Sequence, residues 1–509
     1  MRKSSKKPIL VLALLMSFTL IFTGCSKSNT QVANTNDVSK LDKVELKMYI
    51  LGDKPKDFDK VYAEVNKIMS KKINATLNVQ FISWADKDTK YPLLFSSGDN
   101  FDLAFTATGW CFYNQIATNK GFYELSNDFI QKYAPQTWKN EPKTAWDQAK
   151  VNGKVYMVPN DQNEYNYSLF AIRGDLREKY KIPEIKSIDG LKKYYDAIAK
   201  NEKAIVPLAN AAGGQDLQSP YLMDGKEISY VSGTPLPTIG YNIKDKSGKV
   251  FAFVDTPEYK DYVVKMREYA NNSYWSKTNG SNNGTRDEAF KAGTAASMVW
   301  NLNTVAKSVQ EVNRIHPAWK AEVVDVFQGS KKLINTYTNN GMAINAKSKN
   351  PERAMMAIDL LRYDREIYDL TSYGIKGTHW EPVGDSMYTV LDATSNFPAG
   401  NVCPWGWHTN INRMDIYQPK AVKSFSDKWS SSDIVHNPLE TFNFDDSKVK
   451  NEVAAVGKVI TQFGVPLDLG KVDPTTGIDT YKKELKKAGL YKVLAEVQKQ
   501  TNDFIKNSK

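Results

Sequence analysis

From Val44 to Met48 the chain alternates apolar and polar residues, as a half-buried strand does. Phe58, Val61, Tyr62, Val65, Ile68 and Met69 then recur at the spacing of one helix face. Leu77, Val79 and Phe81 alternate with Asn78 and Gln80 as a second strand. Strand, helix and strand in so short a stretch make a βαβ unit, so a parallel or mixed α/β sheet begins here. After a turn at Gly98-Asp99-Asn100, the apolar run Phe101 to Phe105 reads as a buried strand. Thr256-Pro257-Glu258 sets an N-cap before a proline at the first helical position and predicts a helix to about Tyr269; Asn350-Pro351-Glu352 repeats the signal before Ala354 to Leu361. Asp287 to Ala292 reads as a helix stopped by Gly293, and Ala296 to Trp300 as the strand after it. Two helices, Tyr481 to Ala488 and Tyr491 to Ile505, close the chain. No period of about 20–50 residues recurs, which rejects a repeat protein.

The first 25 residues break this pattern. Arg2, Lys3, Lys6 and Lys7 precede the uncharged run Ile9 to Phe22, which ends in Thr23-Gly24-Cys25. That run is too short to span a bilayer, which needs roughly 20 residues, and reads as an export signal. Leu20 to Cys25 resembles a bacterial lipobox, which implies cleavage after residue 24 and a lipid on the Cys25 sulfur. Residues 25–40 then read as a polar tether. At 509 residues the chain has length for two to four domains, and its 41% hydrophobic and 25% charged composition fits a folded, soluble body. The formal charge of +11 falls to +7 once the four basic residues of the signal are removed. Basic and acidic residues interleave and form no long basic block, so a nucleic-acid partner loses support.

No nucleophile elbow, P-loop, dinucleotide fingerprint or zincin motif occurs. The four histidines lie far apart, and the calcium-like start at Asp161-Gln162-Asn163 lacks its later acid, so no metal or cofactor is expected. Cys111 and Cys403 show no metal or redox spacing; whether they pair depends on a Cα separation that sequence does not give. What stands out is the placing of the indoles. Trp110 follows the strand ending at Phe105, and Trp300 ends another. Trp380, Trp405 and Trp407 sit in loops rich in Gly, Pro and Asn. Ligands of open α/β sheets bind at the carboxyl ends of strands, and an indole there presents an apolar face to a sugar ring as readily as it fills a core.

Four segments in order carry a family resemblance: Ser96-Ser97-Gly98-Asp99-Asn100-Phe101-Asp102-Leu103, Gly153 to Asn160, Ala289 to Ala296, and Asn340 to Ile344 before Asn350-Pro351-Glu352-Arg353-Ala354. With them the chain resembles the extracellular solute-binding proteins of family 1, the lipoprotein receptors of bacterial carbohydrate ABC importers, and most of all their LplA-type Gram-positive branch. Its tail, with Leu485 to Leu490 and Ala495 to Gln500, resembles the uncharacterised C-terminal domain of that branch. The resemblance implies an α/β, two-lobed periplasmic-binding-protein type II fold with a hinged inter-lobe cleft. Lobe 1 would hold 41–157 and 333–372, and lobe 2 would hold 158–332 and 373–509. It implies a monomer anchored on the outer face of the cytoplasmic membrane through acylated Cys25, with an oligosaccharide ligand and membrane permease subunits as partners. By position it assigns Trp110, Tyr113, Asn160, Asp161, Trp300, Asn301, His379, Trp380, Trp405 and Trp407 to the ligand site. Lys376-Gly377-Thr378-His379-Trp380 departs from the branch, where an acid after the first Gly-Ile pair is common. The rival reading is a surface-anchored glycoside hydrolase or lyase, with Glu381 and Asp385 as its paired carboxylates.

Overall fold

The computed structural model describes residues 41–507, apart from 163, 211–214, 236–237, 277–285, 430–433, 437–438 and 440. The signal, the tether and Cys25 lie outside the described residues. The expected βαβ unit is present as strand Val44–Leu51, helix Phe58–Ile73 and strand Ala75–Ile82, the two strands pairing in parallel. The helix buries Phe58, Val61, Tyr62, Val65 and Met69, the stripe that its sequence repeats. Leu103–Thr106 joins on the other side of Val44–Leu51 in parallel, and Gly341–Ile344 and Val158–Pro159 complete a five-stranded mixed sheet.

This sheet and its helices make the first core. The core also takes Phe397, Val402, Cys403 and Trp407, with Ile375, Trp405 and Ile411 packed against it. The stretch from 375 to 411, expected in the second lobe, therefore packs on the first. Its loops lie against helix Arg365–Tyr373, whose Thr371 accepts the Trp407 indole N–H at 3.2 Å.

A second core is built on the strand Ser168–Ile172, flanked by antiparallel strands Ser297–Asn301 and Glu322–Val324. Phe170 and Ile172 face one apolar cluster; Leu169 and Ala171 face another on the opposite side. Burial on both faces explains why this strand reads as a continuous apolar run. Helix Pro257–Asn271 begins as expected, with the Thr256 side chain accepting from the Tyr259 amide. Asn350 departs from expectation: its side chain does not cap helix Pro351–Tyr363 but reaches Asp102 at 3.3 Å. The C-terminal helices Pro474–Lys487 and Leu490–Asn507 belong to this second core through Tyr481, Leu485, Leu490, Val493 and Val497.

Three passages of the chain connect the cores, and each contributes a strand to one small sheet: Tyr165–Asn166, Lys332–Ile334 and Ile434–Val435. Beneath the C-terminal helices, Asp468 is fully buried, accepts from Gln218 at 3.2 Å and lies near the hydroxyls of Tyr230, Tyr259, Tyr262 and Tyr481. Burial pushes its carboxyl well above the usual carboxylate range. A raised pKa means that the group's contribution is whole below the ordinary carboxylate value and is lost as pH climbs towards the raised one. Asp468→Asn should accordingly gain stability relative to the parent between about pH 5 and 8. Urea-unfolding midpoints of both proteins at the two pH values check the sign.

Candidate functional site

Where strands of the first sheet end, three indoles meet. Trp84 follows strand Ala75–Ile82, Trp110 follows Leu103–Thr106, and Trp405 comes from the loop after Cys403. Trp84 stacks between the other two, its ring centroid 6.1 Å from each with interplanar angles of 27° and 25°. It is 50% exposed, whereas Trp110 and Trp405 are half-buried. Phe105 backs Trp110 at 5.2 Å. The result is an open, rigid aromatic surface of three rings.

This surface lies at the junction of the cores. The Trp110 indole donates to the Asn339 carbonyl at 2.8 Å, and the Thr108 amide donates to the Thr338 carbonyl at 2.9 Å, both on the second passage of the chain. Gly109 approaches the second core so closely that a Cβ there would stand 3.1 Å from Ser232 Oγ, and its φ of +84° adds to the need for glycine. Asn160, on the first passage, is buried and donates to the Trp405 carbonyl at 3.0 Å, leaving its own Oδ1 without a partner. Next to it, Asp161 Oδ2 accepts from the Tyr363 hydroxyl and the Asn410 amide at 3.3 Å each, while Oδ1 is unpartnered. Burial raises the Asp161 carboxyl, against the pull of the Arg362 guanidinium. Arg362 is itself fully buried in an ion pair with Glu141 at 2.5 Å and donates to the Pro159 carbonyl.

Of the residues assigned by resemblance, the structure thus brings Trp110, Trp405, Asn160 and Asp161 together. Trp300 stands apart on the second lobe, 38% exposed, with the Arg286 guanidinium 3.8 Å over its ring; Arg286 in turn is held by both oxygens of Asp216 at 2.8 Å. Asn301 caps helix Leu302–Ile315, accepting from the Thr304 amide. Four assigned residues point into packed interior instead. The Tyr113 hydroxyl is buried between the Ala149 carbonyl and the Tyr156 amide. His379 is fully buried, with Nδ1 accepting from the Ile375 amide at 2.9 Å and Nε2 facing Asp57 at 3.4 Å. Trp380 is 3% exposed and donates to the Gly374 carbonyl, and Trp407 is fully buried. Tyr113 and Trp407 belong to the first core, whereas Trp380 lines a separate cavity of about 390 Å³ with Ile375, Pro382 and Arg413.

Two further residues stand out in the structure, Trp84 at the junction and Asn210 in the second lobe. Trp84 was readable by the rule applied to Trp110, an indole just past the carboxyl end of a strand. Asn210 is buried with both amide atoms unpartnered, beside a segment that runs parallel to 295–297, where the Ala209 amide donates to the Ser297 carbonyl. Nothing in its local sequence marks it. The hydrolase candidates Glu381 and Asp385 lie on and beside the hairpin of Trp380–Val383 and Met387–Val390. Among the described residues no group of three or more His, Cys, Asp or Glu could hold a metal ion.

Cys111 and Cys403 are both free and fully buried. Burial pushes the Cys111 thiol up to about 12 and raises that of Cys403 as well. A thiol reagent such as Ellman's should therefore find neither at pH 8 in the native protein and both once denaturant is added. Reaction before unfolding would contradict the packing.

Comparison with known proteins agrees with this architecture. Residues 438–506 match the domain of unknown function DUF3502. A carbohydrate ABC transporter substrate-binding protein of Streptococcus pneumoniae is 27% identical over 482 residues, covering 92% of each chain. The polygalacturonan/rhamnogalacturonan-binding protein YtcQ of Bacillus subtilis is 22% identical over 401 residues, 76% of each. Among solved structures, the N-glycan transport solute-binding protein NgtS of S. pneumoniae, in complex with Man1GlcNAc, superimposes with a TM-score of 0.73 at 25% identity, over 91% of this chain and 100% of that one. The fold is the type II periplasmic-binding-protein fold, and the chain is a homologue of the substrate-binding proteins of carbohydrate ABC transporters, with a DUF3502 domain at its C-terminal end.

Proposed function

We propose that this chain is the extracellular receptor of a carbohydrate ABC importer, taking up an oligosaccharide between its two lobes and presenting it to permease subunits in the membrane. The stacked surface of Trp84, Trp110 and Trp405 carries this reading. Three near-parallel indoles at the inter-lobe junction leave indole surface open to a sugar ring at the half-exposed Trp84, while Asn160, bonded to Trp405, and its neighbour Asp161 hold unpartnered acceptor atoms. Such a site binds without an acid–base pair, and no observation favours the hydrolase alternative.

The lipobox-like segment adds the anchor. Cys25 would carry the lipid, residues 25–40 would be the tether, and the receptor would act as a monomer on the outer face of the cytoplasmic membrane. No helix among the described residues is long and apolar enough to cross a membrane. Lobe 1 would then comprise 41–157 with 341–411, and lobe 2 most of the rest.

Titration of intrinsic fluorescence with a panel of plant and host oligosaccharides tests the assignment. Trp84→Ala should weaken binding about tenfold, and Trp84→Phe less, as expected for losing one stacked ring of about 1.4 kcal/mol. A protein that answers to no glycan, yet binds a peptide or a phosphodiester, would overturn it.

A further inference from the structure

Helix Leu302–Ile315 of the second lobe carries a lysine at 307 and a glutamate at 311, a spacing at which the two side chains could pair along one face. They do not. Glu311 is committed to Lys291 at 2.6 Å. Lys307 turns instead to the other lobe, where its Nζ donates to Asn401 Oδ1 at 2.8 Å. The close approach needs glycine beside it: a Cβ on Gly400, whose φ is +71°, would stand 3.3 Å from Nζ.

The loop that receives Lys307 borders the aromatic surface. The Asn401 carbonyl and the Trp84 Nε1 lie 3.7 and 4.0 Å from the same point, the Cβ position of Gly52. Lys307 thus holds by its side chain a loop residue whose backbone, like Trp84 Nε1, lies against Gly52.

Its charge balance differs from that of its neighbours. Near Trp300, Arg286 is matched by Asp216; near Trp110, Lys87 is matched by Asp88. Among the described residues Lys307 makes no ion pair. Asp287 faces it without coming within ion-pair distance. The side chain is exposed and keeps contact with water, and the charges that act on it are those of Lys291 against Glu311 and Asp287.

A pyranose with a ring carboxylate fits this pairing of features. Its apolar face can lie on an indole while the carboxylate, projecting from the ring edge, reaches a cation at the rim. A neutral sugar would leave the ammonium with only hydroxyls and Asn401. We propose that Lys307 is the anion-recognising residue of the inter-lobe site and that the oligosaccharide carries a carboxylate, as a uronate or a sialic acid unit does. The proposal rests on the receptor reading above and narrows its ligand class.

Calorimetric titration with trigalacturonate and with sialyllactose, each against its carboxyl-reduced counterpart, tests it. The wild-type protein should prefer at least one acid over its reduced form by about tenfold or more, the range of a charge-assisted hydrogen bond. Lys307→Met should abolish that preference, and Lys307→Arg should retain it. If wild type binds the reduced sugars as tightly as the acids, the carboxylate assignment falls and the receptor reading stands. If Lys307→Met weakens acid and reduced forms by the same factor, Lys307 is only a contact between lobes and the proposal is overturned. Binding of none of these four sugars overturns the carboxylate assignment alone, the receptor reading being decided by the wider panel.

Discussion

One carboxylate ties together two of the passages that join the lobes. Glu164, on the first passage between the cores, accepts from the Asn339 side chain at 2.6 Å and from the Asn340 side chain at 3.0 Å, both on the second passage. Its own carbonyl accepts from the Asn335 amide. Burial raises the Glu164 carboxyl, and the two amides act against that rise by solvating the charge. Two passages already paired as strands are thereby fastened by side chains as well. Asn339 also receives the Trp110 indole through its carbonyl, so the aromatic surface is fixed to the same fastening. A shift of the second passage would move Trp110 with it, which links any opening of the junction to the geometry of the stack.

The structure also shows how the platform stays rigid at little cost. Trp405 is held by Asn160 through its carbonyl, and Trp110 is backed by Phe105. Trp84 needs no polar anchor because it lies between two rings. A surface built this way loses little side-chain freedom when a ligand arrives, since the ordering has already occurred on folding. The unpartnered acceptors of Asn160 and Asp161 carry the opposite tendency. A buried polar atom with no partner costs roughly 1–3 kcal/mol, and such cost is relieved when a hydroxyl reaches it.

How much of this was legible in the sequence follows from the range of each interaction. The βαβ unit, the Thr256 cap and the last helix rest on local signals that the chain carries plainly, whereas helix Pro474–Lys487 begins seven residues before the expected Tyr481. The Trp84–Trp110–Trp405 surface joins positions far apart in the chain, and only two of its members were named, through loop position and family resemblance. Loop composition misled at His379, Trp380 and Trp407. A Gly- and Pro-rich stretch reads as exposed, but here it folds back on helix Arg365–Tyr373, where Gly374 and Thr371 satisfy the two indole N–H groups. Sequence spacing holds no record of such a partner. The same blindness hid Asn210 and the packing of Phe397, Val402, Cys403 and Trp407 in the first core.

The C-terminal domain bears on the site through the same logic of shared cores. Leu439, Phe442 and Phe444 enter the second apolar cluster together with the helices that follow, and the Phe444 amide donates to the Ser232 carbonyl at 2.8 Å. Ser232 is the residue that Gly109 of the first lobe meets across the junction. Asn443 completes the contact, its Oδ1 accepting from the Ser232 hydroxyl at 2.9 Å. The domain therefore does more than extend the second lobe: it sets the position of the loop against which the Trp110 loop rests. Removing it would strip Phe444 and its neighbours from a packed core and free Ser232 at once, so the domain and the junction are one mechanical unit.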